Sequence, residues 1–257
     1  MTVAVGGALL RERAALLAIA HPDDECMFFG PTIACLLSRL RLHVLCLSTG
    51  DADGRGRERS AELYRSCAAL GVARDRVALL DDPRLRDGMR TIWDPERVAQ
   101  HLAAHLDRWD ISAVVTFDER GVTRHPNHRA LHAGARLLRA RCSPPPRIYA
   151  LYSTSLPRRL AAALDIPISL GAALLRRLLQ LATWTPPPAF DTWTCCVCLV
   201  PWRAHVAMRC HASQCVWWRT LFMLVSRYAF ANTLVRCDDA RGGGCRGRAR
   251  PAPAAAS

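Results

Sequence analysis

Lysine is missing altogether: the 35 basic positions among the 257 residues are all arginine, as a GC-rich coding sequence produces. Against 22 acidic residues they leave a net charge of +13, which favours anionic partners such as nucleic acid, anionic lipid headgroups or phosphorylated substrates. Long uninterrupted apolar runs are missing too, and a bilayer-spanning helix needs about 20 such residues. The apolar amino terminus, Met1 to Ala20, is broken by Arg11, Glu12 and Arg13 and leads into His21, so it reads as ending in a buried strand and not as a signal peptide or a crossing. Cysteine, at twelve residues or about 5%, falls short of the ~8–10% of a disulfide-built scaffold. Many of these thiols sit in apolar stretches, which points to a reducing compartment. No clean pair of CxxC elements occurs, so Cys195, Cys196, Cys198, Cys210 and Cys215, with His205 and His211, read as reduced thiols in an apolar region and not as a structural zinc site. There is no internal repeat and no nucleic-acid-binding motif, which places nucleic acid low among the partners.

What is present is the composition of an ordinary folded protein, 51% hydrophobic and 22% charged. From Ala14 to Tyr152 short apolar runs alternate with amphipathic stretches of helical length, the pattern of βαβ units around a mostly parallel sheet. Strands are expected at Leu16–Ala20, His43–Ser48, Val77–Leu80, Ala113–Phe117 and Arg147–Tyr152, and helices at Pro31–Arg41, Gly56–Leu70, Asp94–Asp107 and Asn127–Arg141. Gly71 suits a helix C-cap, and Asp94-Pro95 gives the N-cap-then-proline order. The fold class is therefore α/β, Rossmann-like, with helices on both faces of the sheet. Residues 1–237 are expected to form one domain whose part from about 156 to 237 is helical, ahead of a disordered Gly-, Arg-, Pro- and Ala-rich tail, 238–257. Two stretches of that later part suit a membrane surface. Leu160 to Leu175 is flanked by Arg158, Arg159, Arg176 and Arg177. Val216 to Val235 carries Trp217, Trp218, Phe222, Tyr228 and Phe230, with Arg219 and Arg227 about two helical turns apart. A core helix with snorkelling arginines explains the second stretch equally well.

The strongest chemical signal is Ala20-His21-Pro22-Asp23-Asp24-Glu25 at the carboxyl end of the first expected strand, where open α/β sheets bind ligands. A histidine and a carboxylate three residues apart on a tight turn can converge on one metal ion, leaving the neighbouring carboxylate to take a proton from water. A solvated acidic turn would account for Asp-Asp-Glu alone, but not for the apolar strand with His-Pro at its tip. His125-Pro126-Asn127-His128 follows another strand end. One of its histidines can join His21 and a carboxylate as third ligand while the other faces the substrate. Gly54 to Glu62, at a helix amino terminus, offers either a phosphate or polar-sugar site or, more plainly, a flexible loop with local charge pairs.

Together these motifs resemble the LmbE-like metal-dependent deacetylases, and within them the eukaryotic branch that acts on N-acetylglucosaminyl-phosphatidylinositol. The resemblance covers Leu17 to Phe29, Leu63-Tyr64-Arg65-Ser66-Cys67, Val114 to Asp118 and His125 to His128. It continues through Leu164-Asp165-Ile166-Pro167, Met208 to Gln214 and Phe222 to Tyr228, stretches similar to the phosphatidylinositol branch. It implies an LmbE-like fold in which His21, Asp24 and His128 hold a zinc ion, or another divalent metal. Asp23 would be the general base, and His125 would steady the tetrahedral intermediate. Arg59 and Glu62 would bind the sugar or shape the pocket. The implied substrate is a glycolipid at a membrane surface, on the cytosolic face of the endoplasmic reticulum, with no nucleic acid and no obligatory protein partner. The family's amino-terminal membrane helix has no counterpart after Met1, so the expectation is either an upstream anchor or peripheral attachment. The segment Leu174 to Val206 matches the family poorly. A soluble deacetylase of N-acetylglucosaminyl conjugates and a non-catalytic sugar- or lipid-binding module on the same fold are the competing expectations.

Overall fold

The computed structural model describes residues 2–5, 7–183, 193–199 and 201–237, so the tail expected at 238–257 and the Pro-rich stretch Thr185 to Pro188 lie outside the described residues. The chain opens with β1 (Thr2–Val5) and a 3-10 turn, Ala8–Arg11, ahead of β2 (Ala14–Ile19), whose six residues are all buried. Then follow α1 (Asp24–Met27), α2 (Gly30–Leu36), β3 (Arg41–Cys46), α3 (Gly56–Leu70), β4 (Val77–Leu79) and α4 (Pro95–Trp109). After β5 (Ala113–Phe117) come α5 (Gly121–Arg124), α6 (Pro126–Arg141), β6 (Arg147–Leu151), α7 (Leu156–Arg159) and α8 (Asp165–Thr183). The described chain ends with β7 (Trp193–Cys198), α9 (Trp202–Cys210), α10 (Trp217–Val225) and β8 (Ala231–Arg236).

One eight-stranded sheet results, in the order β4-β3-β2-β5-β6-β8-β7-β1. Its first five strands pair in parallel, and β8, β7 and β1 add three antiparallel pairings. The wholly apolar β2 and the fully buried β5 lie at the centre, as strands covered on both faces must. The chain moves outward from β2 through β3 to β4, then crosses back to β5 and on to β6. With right-handed crossovers, α4 and α6 therefore lie on the face opposite α2 and α3. The strand order reverses between β2 and β5. On the α4/α6 face, Gly134 permits the closest approach, because a Cβ there would collide with Val98 of α4. The expected punctuation is in place. Asp94 accepts the Glu96 N–H at 3.0 Å ahead of Pro95, and Gly71 ends α3 at φ 95°.

The part expected to be helical, 156–237, departs from that expectation. Two of its segments, β7 and β8, are strands of the main sheet, and the stretch Val216 to Val235 is helical only over α10 and a 3-10 turn, Arg227–Ala229. Sheet pairing of β7 with β1 and of β8 with β6 and β7 wins over helical spacing there. No disulfide forms among the described cysteines, and Cys195, Cys196 and Cys198 are buried in β7. The two arginines of that stretch are not snorkelling side chains either. Arg227 is fully buried, its Nε 2.7 Å from Asp165 Oδ2 and its Nη2 2.8 Å from Ser169 Oγ. Arg219 turns inward toward the turn after β2.

Asp165 is itself fully buried, and Arg158 grips its other oxygen at 2.7 Å. Burial pushes this carboxyl up, but the bonds from Arg158, Ser169 and Arg227 outweigh it and hold it below the ordinary carboxylate value. Its stabilising contribution is therefore complete above about pH 4 and lost as pH falls through the depressed folded value. Arg227→Met leaves the buried carboxylate to Arg158 and Ser169 alone and is expected to cost up to about 3 kcal/mol in urea unfolding at pH 7. Asp165→Asn/Arg227→Met should recover part of that loss.

Candidate active site

The loops that leave β2 and β5 flank the point where strand order reverses, the crevice in which open α/β sheets bind ligands. Asp24 folds the first loop: its Oδ2 accepts the N–H groups of Ala20 (3.0 Å) and His21 (2.9 Å). Asp23 has φ 115°, a conformation that costs a residue with a side chain free energy. It is held there because Glu25 Oε2 accepts its N–H at 3.1 Å, while Cys26 Sγ and the Met27 N–H both donate to its carbonyl. The left-handed turn sends the two carboxylates apart. Asp24 faces the histidines, whereas Asp23 lies between Arg219 Nη2 (3.4 Å) and Arg59 Nη2 (3.7 Å).

The second loop is folded by Asp118, whose Oδ1 accepts the N–H groups of Arg120 (3.1 Å) and Gly121 (2.9 Å) and the Ser153 hydroxyl (2.6 Å). The Gly121 carbonyl so placed accepts His128 Nδ1–H at 3.0 Å, and Phe117 stacks on the imidazole at 3.9 Å. His125 caps α6, its Nδ1 accepting the Asn127 N–H at 3.3 Å ahead of Pro126. Asn127 Nδ2 donates to Thr91 O at 2.8 Å, which turns its Oδ1 onto His21 Nε2 at 3.0 Å.

These bonds assign the hydrogens. In the neutral imidazole, His128 gives its Nδ1 proton to Gly121 and the buried Nε2 is a lone pair with no hydrogen-bond donor facing it. It points at Asp24 Oδ1, 3.2 Å away, another lone-pair atom. His21 Nε2 faces two oxygens, Asn127 Oδ1 and Asp87 Oδ1 (3.1 Å), and therefore carries the proton. This leaves His21 Nδ1 as a lone pair 3.8 Å from Asp24. Two imidazole nitrogens and one carboxylate thus converge with nothing positive between them, a donor set that fits a divalent cation. Donor atoms of His21, His125 and His128 lie within 4.8 Å of one another. His125, however, carries its proton on Nε2 and is suited to donating. Burial, with His21 and His128 as neighbours, lowers His125 to about 4, so it is neutral near pH 7. Burial pushes His21 down, but Asp87 and Asp24 outweigh it and raise the group. Burial raises Asp23, partly offset by Arg219 and Arg59, whereas His128 and His21, when they carry a positive charge, overcome the burial of Asp24 and hold it far below the carboxylate range.

Glu25, Cys26 and His211 form a second such group among the described residues, but their donors are already engaged. His211 Nε2 lies 2.6 Å from Glu25 Oε1, which also accepts the Ser66 hydroxyl, and burial pushes the Cys26 thiol well up. Arg59 and Glu62, expected to bind the sugar or shape the pocket, sit in the frame of the site. Arg59 donates to Gly50 O (2.5 Å), Pro22 O (2.8 Å) and Asp87 (3.3 Å), tying three loops together. Glu62 is fully buried and accepts from Ser213 N (2.7 Å), Ser213 Oγ (2.5 Å) and Gln214 Nε2 (3.1 Å), so it shapes the site from behind. At the start of α3, Arg55 pairs locally with Glu58 at 2.8 Å, the plainer of the two readings of that loop. Asp87, Asn127, Arg219 and the Glu25–His211 pair were not among the expected site residues. For Asp87 the available signal was its loop, which leaves the carboxyl end of β4.

Residues 16–138 match the PIG-L family, described as GlcNAc-PI de-N-acetylase. An N-acetylglucosaminyl-phosphatidylinositol de-N-acetylase of Bos taurus is 40% identical over 223 residues, covering 85% of this chain and 81% of its own. The chain belongs to this de-N-acetylase family. The Saccharomyces cerevisiae member is 31% identical over 244 residues, 84% of this chain and 79% of its own. The family's fold extends to a solved teicoplanin deacetylase in a zinc-inhibited form, which has a TM-score of 0.55 and 16% identity and covers 88% of this chain and all of its own.

Because Asn127 sets the His21 tautomer, Asn127→Ala is expected to weaken divalent-metal affinity by roughly 10–100-fold. Competition with a chromogenic chelator measures this, with retained far-UV circular dichroism as the control for folding.

Proposed function

We propose that this chain hydrolyses the acetamide of N-acetylglucosaminyl-phosphatidylinositol to glucosaminyl-phosphatidylinositol and acetate, at the cytosolic face of the endoplasmic reticulum membrane. The observation that carries the reading is the opposition of His128 Nε2 and Asp24 Oδ1 at 3.2 Å, with a separate carboxylate, Asp23, beside them. The residues fit a metal held by His21, Asp24 and His128, and zinc is the ion we assign. Bound there, such an ion supplies Lewis acidity, polarising the acetamide carbonyl and lowering the pKa of water.

The chain's own residues do the rest. Asp23 takes a proton from the water that attacks the carbonyl carbon and returns it to the nitrogen as the C–N bond breaks. Burial makes it a stronger base than an exposed carboxylate, and Arg219 and Arg59 hold it in place. His125 donates from Nε2 to the developing oxyanion, and Asn127 N–H fixes that tautomer. His125 needs no protonation change to act near neutral pH, since its pKa of about 4 leaves it neutral.

Acetate release from N-acetylglucosaminyl-phosphatidylinositol in mixed micelles, beside the same headgroup without lipid and with or without chelator, tests the proposal. Chelator-sensitive release from the lipid form supports it. Equal release from both forms points to the soluble deacetylase, and no release from either, with zinc bound, points to a binding module. Asp23→Asn should retain zinc and lose about 10²–10⁴ in turnover. His128→Ala should lose the metal, as elemental analysis of the purified protein would show.

A further inference from the structure

Arg219 reaches the site from a helix whose other face is apolar and open to solvent. At about 100° per residue, Trp217, Trp218, Leu221 and Leu224 of α10 fall within one arc of about 120°, and Arg219 and Met223 lie opposite. The inner face is engaged: Met223 is buried in the core, and Arg219 Nη2 lies 3.4 Å from Asp23 while its Nη1 donates to Gln214 O at 3.0 Å. On the outer face Trp217 is 77% exposed, Trp218 50%, Leu221 51% and Leu224 56%. A helix apolar on both faces belongs inside a protein, and α10 has protein on one face only. The helix before it, α9, packs against α10 and exposes Trp202, Arg203, Val206 and Arg209 at the same spacing.

We infer that α10 is the element by which this protein seats in the interfacial layer of a lipid bilayer, outer face down, so that the mouth of the site opens at the membrane. The inference rests on the glycolipid reading above and deepens it by naming the docking surface. Two observations favour a bilayer over a second copy of the chain. Two indoles and two leucines present only a few hundred Å², short of the ~800 Å² per partner of a stable interface. The neighbouring face of α9 also interleaves arginine with tryptophan and valine, the chemistry of attachment to anionic headgroups, in a chain of net charge +13. Indole rings settle at the headgroup level, where one edge is wet and the body is apolar. The opposite face then carries Arg219 to Asp23, so a substrate whose tails stay in the bilayer meets the catalytic carboxylate without leaving it.

Co-sedimentation of the zinc-loaded full chain with phosphatidylcholine vesicles containing phosphatidylinositol, but no glycolipid, tests this. The wild type should bind, and Trp217→Ala/Leu224→Ala should lower apparent affinity roughly tenfold or more. The same double variant should deacetylate the water-soluble headgroup as the wild type does, and lose roughly tenfold on glycolipid presented in vesicles. Unaltered headgroup turnover or, should the headgroup not react, unaltered zinc content and thermal midpoint, shows that the variant is folded. Vesicle binding equal to wild type, or no binding by the wild type, overturns the inference. A wild-type dimer in gel filtration that the double variant dissociates also overturns it and assigns the face to a second copy. Vesicle binding that depends on α10 in a chain inactive on both substrates leaves the docking surface standing and removes the glycolipid reading.

Discussion

Burying Asp24 against two imidazole lone pairs is the constraint on which the rest of this structure depends. Isolated in a protein interior, a carboxylate facing a histidine lone pair is unfavourable, and the cost is tolerable only where a positive charge completes the set, carried by a metal ion or by a proton on the imidazole. Around that point the chain has arranged every hydrogen. Gly121 takes the proton of His128, Asn127 and Asp87 take that of His21, and two backbone N–H groups occupy the other oxygen of Asp24. Placement by the sheet comes first, because the two loops meet only where β2 and β5 adjoin with helices departing to opposite faces.

A second feature of the site is how much of it comes from the far end of the chain. His211 holds Glu25, Glu25 holds the Asp23 backbone, and Arg219 holds its side chain. Ser213 and Gln214 lock onto Glu62 of α3. The segment from α9 to α10 is thus a wall of the active site. Its anchoring to the sheet through β7 and β8, and through the buried Asp165–Arg227 pair, keeps that wall in register with the catalytic turn.

The parallel half of the sheet was legible in the sequence because buried parallel strands read as apolar runs. Ala113–Phe117 and the helix Gly56–Leu70 coincide with their expected bounds. The antiparallel strands β1, β7 and β8 were not, since Cys195-Cys196-Val197-Cys198 and Ala231 to Arg236 carry no clean alternation and their pairing joins segments far apart in the chain. Among the site residues, His21, Asp23, Asp24, His125 and His128 were legible because two compact motifs stood at strand ends. Asp87 and Arg219 were not. The loop after β4 offers Asp81, Asp82 and Asp87, and local pattern cannot tell which turns inward; Asp82 instead binds Arg97 and His101. Arg219 reads as a membrane-surface or snorkelling arginine within the stretch Val216 to Val235, and only the packing of α10 shows that it points in.

The left-handed backbone at Asp23 makes the catalytic turn selective for residue type before any chemistry takes place. Glycine, asparagine and aspartate adopt that conformation most readily, and most other side chains would strain it. An alanine here would remove the carboxylate and deform the turn that presents Asp24 to the histidines, so two losses would register as one. Asparagine keeps the turn and removes the charge, whereas glycine keeps the turn and removes the side chain. At this position geometry and the proposed acid–base function come apart only through those two replacements, and the backbone alone confines the residue to a handful of amino acids.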